Sequence, residues 1–283
     1  MASSQMRDLL RVRPVDGVVA LVGYNPAATP GAPGGKKKAA RMMVKRGAQL
    51  AELQERLYAE ATVGGVRRVL VVLQGMDTSG KGGVIDHVMG LVGPAGCHIT
   101  SFKKPTPEEL AHHFLWRIRK GLPGPGSIGV FDRSHYEDVL VVRVHDVIDD
   151  AECAHRYDEI NRFERELVEG GTTILKCFLN VSYDMQRERL LERLDQPDKN
   201  WKFNEGDINE RAFWPAYQDA YSAALAHTST DIAPWYAIPS DHKWYRNWAI
   251  GELLRENLED LDPQYPQVDL DIDRLKDRLQ PPF

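Results

Sequence analysis

Apolar positions along the chain switch between two spacings, one typical of buried strands and one typical of helices. Short apolar runs predict five strands, at residues 66–74, 97–102, 127–132, 172–182 and 234–239. Helical spacing predicts helices at residues 48–61, 83–93, 106–121, 150–171, 183–226 and 243–261. Strands separated by helices form parallel sheets with right-handed crossovers and helices on both faces. The predicted fold class is therefore α/β, a three-layer α/β/α sandwich around a central parallel sheet.

The two ends of the chain differ in character from its middle. Residues 25–38 are rich in Pro, Gly and Ala and end in a lysine run, which predicts a linker or an extended arm. The helical stretch at about 183–226 is interrupted near residues 195–207 and is predicted to form a helical lid. The C-terminus is predicted to be a surface tail or an intersubunit arm. The chain thus divides into an N-terminal arm or linker, a main domain and a C-terminal tail, at residues 1–35, 36–262 and 263–283.

Composition and charge exclude several classes of protein. With 42% hydrophobic and 27% charged residues, the chain of 283 residues has the composition of an ordinary globular protein and not of a disordered one. The formal net charge of −5 gives no indication of nucleic-acid binding. No apolar stretch approaches membrane-spanning length. Three cysteines without CxxC spacing fit a reducing compartment, so we expect a cytoplasmic protein without a membrane or nucleic-acid partner.

A glycine-rich loop, GMDTSGKGG, begins at Gly75, directly after the first predicted strand. Gly75 and Gly80 have the spacing of a Walker A loop, and Lys81 supplies a positive charge toward a terminal phosphate. In the usual motif a Ser or Thr follows the lysine and its hydroxyl holds magnesium, whereas Gly82 stands at that position here. The loop also contains an acidic residue, Asp77. The loop therefore predicts phosphate binding in which a carboxylate replaces the missing hydroxyl.

A second acid, Asp132, ends the third predicted strand in the sequence GVFDRSHYED. From that position a Walker B carboxylate reaches magnesium. The alternative is that Asp132 caps the following helix, although Ser134 could take that role instead. Because the carboxyl ends of neighbouring parallel strands meet at one edge of the sheet, Asp77 and Asp132 suit a single metal site. We therefore predict a magnesium–phosphate site at that edge.

Positive charge is concentrated in a few short stretches. Arg189 and Arg193 lie one helical turn apart in the predicted lid, and Lys199 and Lys202 follow them. Two interpretations remain open: a solvated face in which Arg189 pairs with Glu192, or a lid that closes over phosphates and excludes water. The cluster as a set favours the lid. Other cations follow the second predicted strand and end the next helix, namely Lys103, Lys104, Arg117, Arg119 and Lys120.

Four stretches together resemble the polyphosphate kinase 2 family, namely GMDTSGKGG, FKKPTPEEL with FLWR, FDRSHYEDVLVVRVH, and DKNWKFNEGDINER. They occur in the family's order, and the similarity runs from about Lys36 to Leu261. Members of that family are similar to thymidylate kinase in fold, and they move phosphate between inorganic polyphosphate and nucleotides with magnesium. The resemblance therefore implies a P-loop-kinase-like fold and this reaction.

The resemblance also implies roles for individual residues. The family's Walker A and Walker B positions fall on four residues implied to be catalytic, Asp77, Lys81, Asp132 and Arg133, of which Asp77 and Asp132 would hold the metal. With the loop glycines and the cations noted above, the predicted phosphate-binding set is Gly75, Gly80, Gly82, Gly83, Lys103, Arg117, Arg193, Lys199 and Lys202. Glu137 and Asp207 are predicted to contact the acceptor nucleotide. Glu137 resembles the branch of the family that also accepts nucleoside monophosphates.

The implied reaction moves the terminal phosphate of polyphosphate reversibly to a nucleoside di- or monophosphate, such as ADP, AMP or GDP. Because a phosphate monoester has a second pKa of about 6, the acceptor oxygen is largely ionised at neutral pH and needs no strong general base. The implied cofactor is Mg²⁺, with Mn²⁺ as a substitute. Since an exposed arm is predicted at each end of the chain, we expect a homo-oligomer, either a dimer or a tetramer.

Two other functions remain open at the level of the sequence. An ATP-dependent nucleoside monophosphate kinase would use the same loop, although the aspartate in the loop and the extra lid cations favour polyphosphate as the donor. A catalytically silent phosphate-binding or regulatory module is the third interpretation. The intact set of Asp77, Lys81 and Asp132 argues against it.

Overall fold

All five short apolar runs form strands in the computed structural model, which describes residues 5–280. The strands are β1 (Arg68–Gln74), β2 (Cys97–Ser101), β3 (Ile128–Asp132), β4 (Thr172–Asn180) and β5 (Trp235–Pro239). They pair in parallel in the order β2-β3-β1-β4-β5. Val71 of β1 lies in register with Val130 of β3 and with Leu175 of β4. The predicted α/β fold class with a parallel sheet is confirmed.

Helices cover both faces of this sheet. Before and between the first strands they are α1 (Met6–Leu10), α2 (Lys36–Ala61), α3 (Lys81–His87), α4 (Pro107–Leu110) and α5 (Leu115–Lys120). After β3 come α6 (Glu137–Val144) and α7 (Asp150–Glu169), and after β4 come α8 (Tyr183–Asp195), α9 (Gly206–Ala212) and α10 (Trp214–Thr228). The last two are α11 (Lys243–Leu261) and α12 (Ile272–Arg278). The predicted lid region thus consists of α8 to α10.

The central strand β1 is buried on both of its faces. Side chains alternate between the faces of a strand. Val69, Val71 and Leu73 belong to the core that contains residues of α2, α3 and α11, whereas Leu70 and Val72 belong to the core that contains residues of α6, α7 and α10. All five side chains are fully buried, and each contributes about 1.5–3 kcal/mol relative to exposure. A continuous apolar run rather than an alternating one is therefore what this strand requires.

The N-terminal segment lies along β5. The backbone N–H of Val12 donates to the carbonyl of Trp235 at 2.8 Å, and the N–H of Met6 donates to the carboxylate of Glu256 at 2.8 Å. Leu10 is buried in the same core as α11. The lysine run predicted at the end of a linker instead forms the first turn of α2, which begins at Lys36.

The helix predicted at residues 106–121 was wrong as one element, because it divides into α4 and α5. The first part carries a capping box between Thr106 and Glu109 and ends after one turn. The ring Nδ1 of His113 then accepts a hydrogen bond from the backbone N–H of Leu115 at 3.3 Å, which satisfies a donor at the start of α5. A capping box thus begins α4, and the His113 ring accepts from the first residue of α5.

In the part of the chain between residues 5 and 280, no helix has both the length and the apolar character required to cross a membrane.

A charged pair is buried between β4 and α7. Lys176 Nζ lies 2.6 Å from Glu164 Oε2 and also donates to the Thr228 carbonyl at 2.7 Å. The Tyr136 hydroxyl donates to Glu164 Oε1 at 2.7 Å. Burial lowers the pKa of Lys176. For Glu164, burial acts to raise the pKa, but the charge of Lys176 outweighs it and holds the pKa below its ordinary value. Each charge therefore depends on the other.

We predict that Lys176→Met lowers the free energy of unfolding by about 3–5 kcal/mol, because it removes the lysine that balances the charge of the buried Glu164 carboxylate. Urea unfolding followed by circular dichroism measures this change. Adding Glu164→Gln to the same chain removes the orphaned charge, so the double variant should be more stable than the single one. A single variant that unfolds at the parent's urea midpoint would contradict the dependence of one charge on the other.

Candidate active site

The glycine loop joins β1 to α3 at the carboxyl edge of the sheet. Gly75 has φ of 153° and Gly80 has φ of 106°, a region that side chains rarely adopt. A Cβ at Gly75 would lie 2.7 Å from the Leu179 carbonyl oxygen, and a Cβ at Gly80 would lie 1.7 Å from Arg246 Nη1. Gly82 differs, because nothing lies within 4 Å of its Cβ position. At Gly75 and Gly80, the backbone conformation and the neighbouring atoms therefore disfavour any side chain.

Two buried arginines hold the loop through hydrogen bonds to its backbone carbonyls. Arg189 of α8 donates through Nη1 to the Thr78 carbonyl at 2.8 Å and through Nη2 to the Ser240 carbonyl at 2.6 Å. Arg246 of α11 donates through Nη1 to the Ser79 carbonyl at 3.1 Å. Neither guanidinium forms an ion pair with any residue between positions 5 and 280. Burial lowers the pKa of both groups, and the charge of Arg189 lowers that of Arg246 further.

These contacts differ from the ion pair with Glu192 that one of the two sequence interpretations gave to Arg189. Its suggested partner, Glu192, instead pairs with Lys199 at 2.6 Å and with Lys243 at 3.2 Å. Arg246 was missed altogether. The available signal was a charged residue on the apolar face of α11, one turn before Ile250, but that pattern does not identify the loop as its partner.

Two of the four residues implied to be catalytic, Asp77 and Arg133, form an ion pair, and Lys81 lies close enough to feel both charges. Lys81 Nζ donates to the Gly75 carbonyl at 2.8 Å. Arg133 Nη2 lies 3.0 Å from Asp77 Oδ1, and its Nη1 lies 3.6 Å from Glu137 Oε2. Arg133 reaches both acids from a backbone with φ of 65°, which is strained for a side-chain-bearing residue. The structure therefore brings Glu137 into this cluster as well.

Burial and neighbouring charges shift the titration of the cluster. Burial lowers the pKa of Lys81, and the negative charge of Asp77 opposes that shift. Burial raises the pKa of Glu137, although Arg133 opposes it. For Arg133, burial acts to lower the pKa, but the charges of Glu137 and Asp77 outweigh burial and raise it. Removing either acid would therefore change the charge balance around Arg133.

Asp132 lies at the end of β3, where its Oδ2 accepts a hydrogen bond from Ser101 Oγ at 3.5 Å. It lines the same cavity as Asp77 and Lys81. Among residues 5–280 there is no group of three or more His, Cys, Asp or Glu side chains placed to hold a metal by themselves.

A cavity of about 740 Å³ opens above the loop. Nine Lys and Arg side chains line it, against four carboxylates. The lid region supplies four of the cations, which are Arg189, Arg193, Lys199 and Lys202. Others come from the beginning of α2 and the first turn of α11, namely Lys36, Lys243 and Arg246. A cavity with this excess of positive charge is suited to a polyanion.

Several of these cations form ion pairs with carboxylates of the protein. Arg193 Nη1 lies 3.1 Å from Asp207 Oδ2 across the lid. Burial and the negative charge of Asp77 raise the pKa of Asp207, and Arg193 opposes that shift. Asp207 thus pairs with the predicted lid cation Arg193, and the charge of Asp77 in the loop acts on it.

Comparison with known proteins identifies the family of this chain. Residues 35–266 match the family model described as Polyphosphate kinase 2. The chain belongs to the polyphosphate kinase 2 family. The predicted resemblance is therefore confirmed over most of the sequence.

The relatives described here are similar to this chain over most of their length. The AMP/ADP-polyphosphate phosphotransferase of Meiothermus ruber is 47% identical over 265 residues, which cover 94% of this chain and 97% of the relative. The ADP-polyphosphate phosphotransferase of Rhodopseudomonas palustris is 43% identical over 232 residues, or 78% of this chain and 79% of that one. The crystal structure of polyphosphate kinase 2 from Arthrobacter aurescens TC1 matches with a TM-score of 0.95 at 46% identity, covering 98% of this chain and 97% of that one.

Two predicted phosphate-binding residues lie away from the main cavity of this polyphosphate kinase 2 family member. Arg117 is buried, donates to the Lys103 carbonyl at 2.8 Å and lies 3.5 Å from Asp138 Oδ2. Lys103 and Arg117 line a separate cavity of about 570 Å³ beyond β2, together with Lys104 and Lys120. The structure therefore places them apart from the loop and the lid cations.

A smaller recess lies on the other side of the ion pair between Asp77 and Arg133. It measures about 30 Å³, and Glu137, Tyr217 and Tyr221 contribute to its wall. Asp77 and Arg133 line both spaces. In this member of the polyphosphate kinase 2 family, the pair thus separates a large cationic cavity from a recess that contains the predicted acceptor residue Glu137.

We predict that Gly80→Ala lowers the free energy of unfolding by about 2 kcal/mol or more, because the new Cβ meets Arg246 and the backbone there is left-handed. Gly82→Ala is the matched control, since it adds the same methyl group in open space. Thermal and urea unfolding of both variants measures the difference. Equal stability of the two variants would mean that the guanidinium moves aside freely.

Proposed function

We propose that this protein transfers the terminal phosphate of inorganic polyphosphate to ADP and to AMP. The observation that carries the proposal is the cavity above the glycine loop, with nine cations against four carboxylates. A ligand with many closely spaced negative charges satisfies such a surface better than a single phosphate does. The names of the relatives from Meiothermus ruber and Rhodopseudomonas palustris support the same donor.

In this proposal the two spaces beside Asp77 and Arg133 hold the two substrates. Polyphosphate lies in the cationic cavity, against Lys81 and the lid cations. The acceptor phosphate approaches from the recess near Glu137. Residues of α6, α9 and α10 line that recess, so these helices would border the acceptor nucleotide. Arg133 then lies between donor and acceptor.

The chemical step needs positioning and charge stabilisation more than proton transfer. An ionised oxygen of the acceptor phosphate attacks the terminal phosphorus of polyphosphate in line, and the bond to the next bridging oxygen breaks. The products are the extended nucleotide and a polyphosphate one unit shorter. Lys81 and Arg133 stabilise negative charge on the moving phosphoryl group, and Asp77 orients Arg133 and the acceptor. No general base is required, since the attacking oxygen is largely ionised at neutral pH.

Magnesium fits the donor set of this site. Asp77 and Asp132 line one cavity, and Mg²⁺ prefers one or two carboxylates together with water and substrate phosphate oxygens. We therefore propose these two residues as its ligands, with Mn²⁺ as a substitute. When bound, the metal would neutralise charge on the phosphates and help to orient them. Ser101, which donates to Asp132, would fix the direction of that carboxylate.

The proposal also covers location and assembly. Cys97, Cys153 and Cys177 are free thiols, which is the usual state in the cytoplasm, where nucleotides are abundant. Apolar side chains are exposed on the edge strand β2 and in the C-terminal segment, at Ile99, Val268, Leu270 and Ile272. Such exposure supports self-association into a dimer or a tetramer.

The first test measures ATP formation from polyphosphate and ADP, and ADP formation from polyphosphate and AMP, with Mg²⁺ present. We expect turnover with both acceptors and a loss of roughly 10²–10³-fold in kcat for Asp77→Asn, as for removal of one charge-stabilising contact. Asp158→Asn, an exposed carboxylate on α7, is the matched control. Phosphate transfer from ATP to a nucleoside monophosphate, without any turnover of polyphosphate, would replace the proposal with the monophosphate kinase.

The pH dependence of kcat/KM tests the role of Lys81. Since burial lowers its pKa, the lysine loses its proton at a pH below the ordinary value of about 10.4, so kcat/KM should fall on the alkaline side before that pH. Lys81→Arg has a lower maximum but keeps its charge throughout, so its alkaline decline should move to higher pH. An identical alkaline decline in the parent and in this variant would exclude Lys81 as the titrating group.

A further inference from the structure

The cationic cavity continues outward along one helix. Lys36 is the first residue of α2 and lines the cavity. Beyond it, Lys37, Lys38, Arg41 and Lys45 are all exposed on the solvent side of α2. We call these four residues the α2 ridge. From Lys36 to Lys45 the helix rises about 14 Å, so the ridge extends the positive surface well past the cavity.

The α2 ridge is not neutralised by the protein. None of its four residues forms an ion pair with any residue in the part of the chain that the structure describes, residues 5–280. Arg46 on the same helix does, at 3.0 Å from Glu252. Residues 36–48 contain no Asp or Glu, whereas the second half of α2 mixes both signs. A face that only contacts solvent would be expected to carry charges of both signs, as the second half of α2 does.

This arrangement has a cost for the helix itself. Lys37 and Arg41, and then Arg41 and Lys45, are like-charged pairs one turn apart, which destabilise a helix. The helix is held instead by its opposite face, where Leu50 and Leu57 are buried in the core shared with α11. An unneutralised row of cations that begins at a phosphate cavity is explained by a ligand that continues from that cavity.

We propose that the α2 ridge binds the part of a long polyphosphate chain that extends beyond the cavity, and that it gives the protein a preference for long chains over short ones. The proposal rests on polyphosphate as the donor. Phosphate charge along a flexible chain matches a linear row of cations without any need for a shaped pocket. Nucleic acid fits less well, because residues 36–48 contain no aromatic side chain on which bases could stack and the net charge is −5.

The test is the triple variant Lys37→Gln, Arg41→Gln and Lys45→Gln, in which glutamine keeps the helix propensity. The matched control removes three exposed cations from α12, by Arg274→Gln, Lys276→Gln and Arg278→Gln, with the same change in net charge. The Kd and KM for long-chain polyphosphate and for tripolyphosphate are measured at several salt concentrations, together with the KM for ADP and the Kd for single-stranded RNA.

We expect the α2 variant to bind long-chain polyphosphate about tenfold more weakly, while its Kd for tripolyphosphate and its KM for ADP stay at the parent's values. Its salt dependence for the long chain should also decrease, by roughly 2 in the slope of log K against log salt. The α12 control should match the parent with both donors.

Three results would overturn the proposal. Unchanged affinity for the long chain would leave the α2 ridge as a solvated face. Equal losses with tripolyphosphate, or equal losses in the α12 control, would indicate a general effect of charge. A loss confined to RNA binding would assign the ridge to nucleic acid. If the parent turns over neither long-chain polyphosphate nor tripolyphosphate, the proposed function has failed. An active parent whose affinity does not change in the α2 variant would overturn only the proposal for the α2 ridge.

Discussion

Two buried guanidinium groups that hold the glycine loop are the constraint on which the site depends. Arg189 connects the lid helix α8 to the loop and to the end of β5, and Arg246 connects α11 to the same loop. Backbone carbonyls and the Asn247 side-chain oxygen accept their hydrogen bonds, and no carboxylate among residues 5–280 forms an ion pair with either group. A buried charge without a counterion is costly for the folded protein. An anion above the loop relieves that cost, which ties the stability of this region to the occupancy of the site.

This constraint also explains the arrangement of the neighbouring residues. Gly80 has no side chain because the Arg246 guanidinium occupies the space where one would lie. Arg189 leaves Glu192 to pair with Lys199 and Lys243, which join the lid to the start of α11. The glycine loop, the lid and α11 are therefore linked through a few charged contacts, so a displacement of one of them affects the others.

Local sequence patterns predicted the sheet and the residues at its carboxyl edge. Apolar runs identify the strands, and parallel strands place their ends together, so Asp77 and Asp132 were expected at one edge, and both line the cavity there. The two buried arginines could not be predicted in the same way, since Arg246 contacts a carbonyl 167 residues away in the chain. For Arg117 the sequence indicated phosphate binding, because this residue lies in the cationic end of a predicted helix. Its contacts with Lys103 and Asp138 depend instead on tertiary packing. Short-range periodicity carries no information on such partners.

The ion pairs within the cavity have a consequence for which anions it selects. Arg133 is held by Asp77, Arg193 by Asp207 and Lys199 by Glu192, so the protein supplies its own counterions to part of the surface. At Arg193 and Lys199, binding is therefore an exchange in which an incoming anion displaces a carboxylate that is already in place. Orthophosphate or chloride gains little from displacing one carboxylate, whereas a chain that meets many cations at once gains from all of them together. The cavity thus discriminates by the number of linked charges that a ligand carries, and abundant small anions are poor competitors.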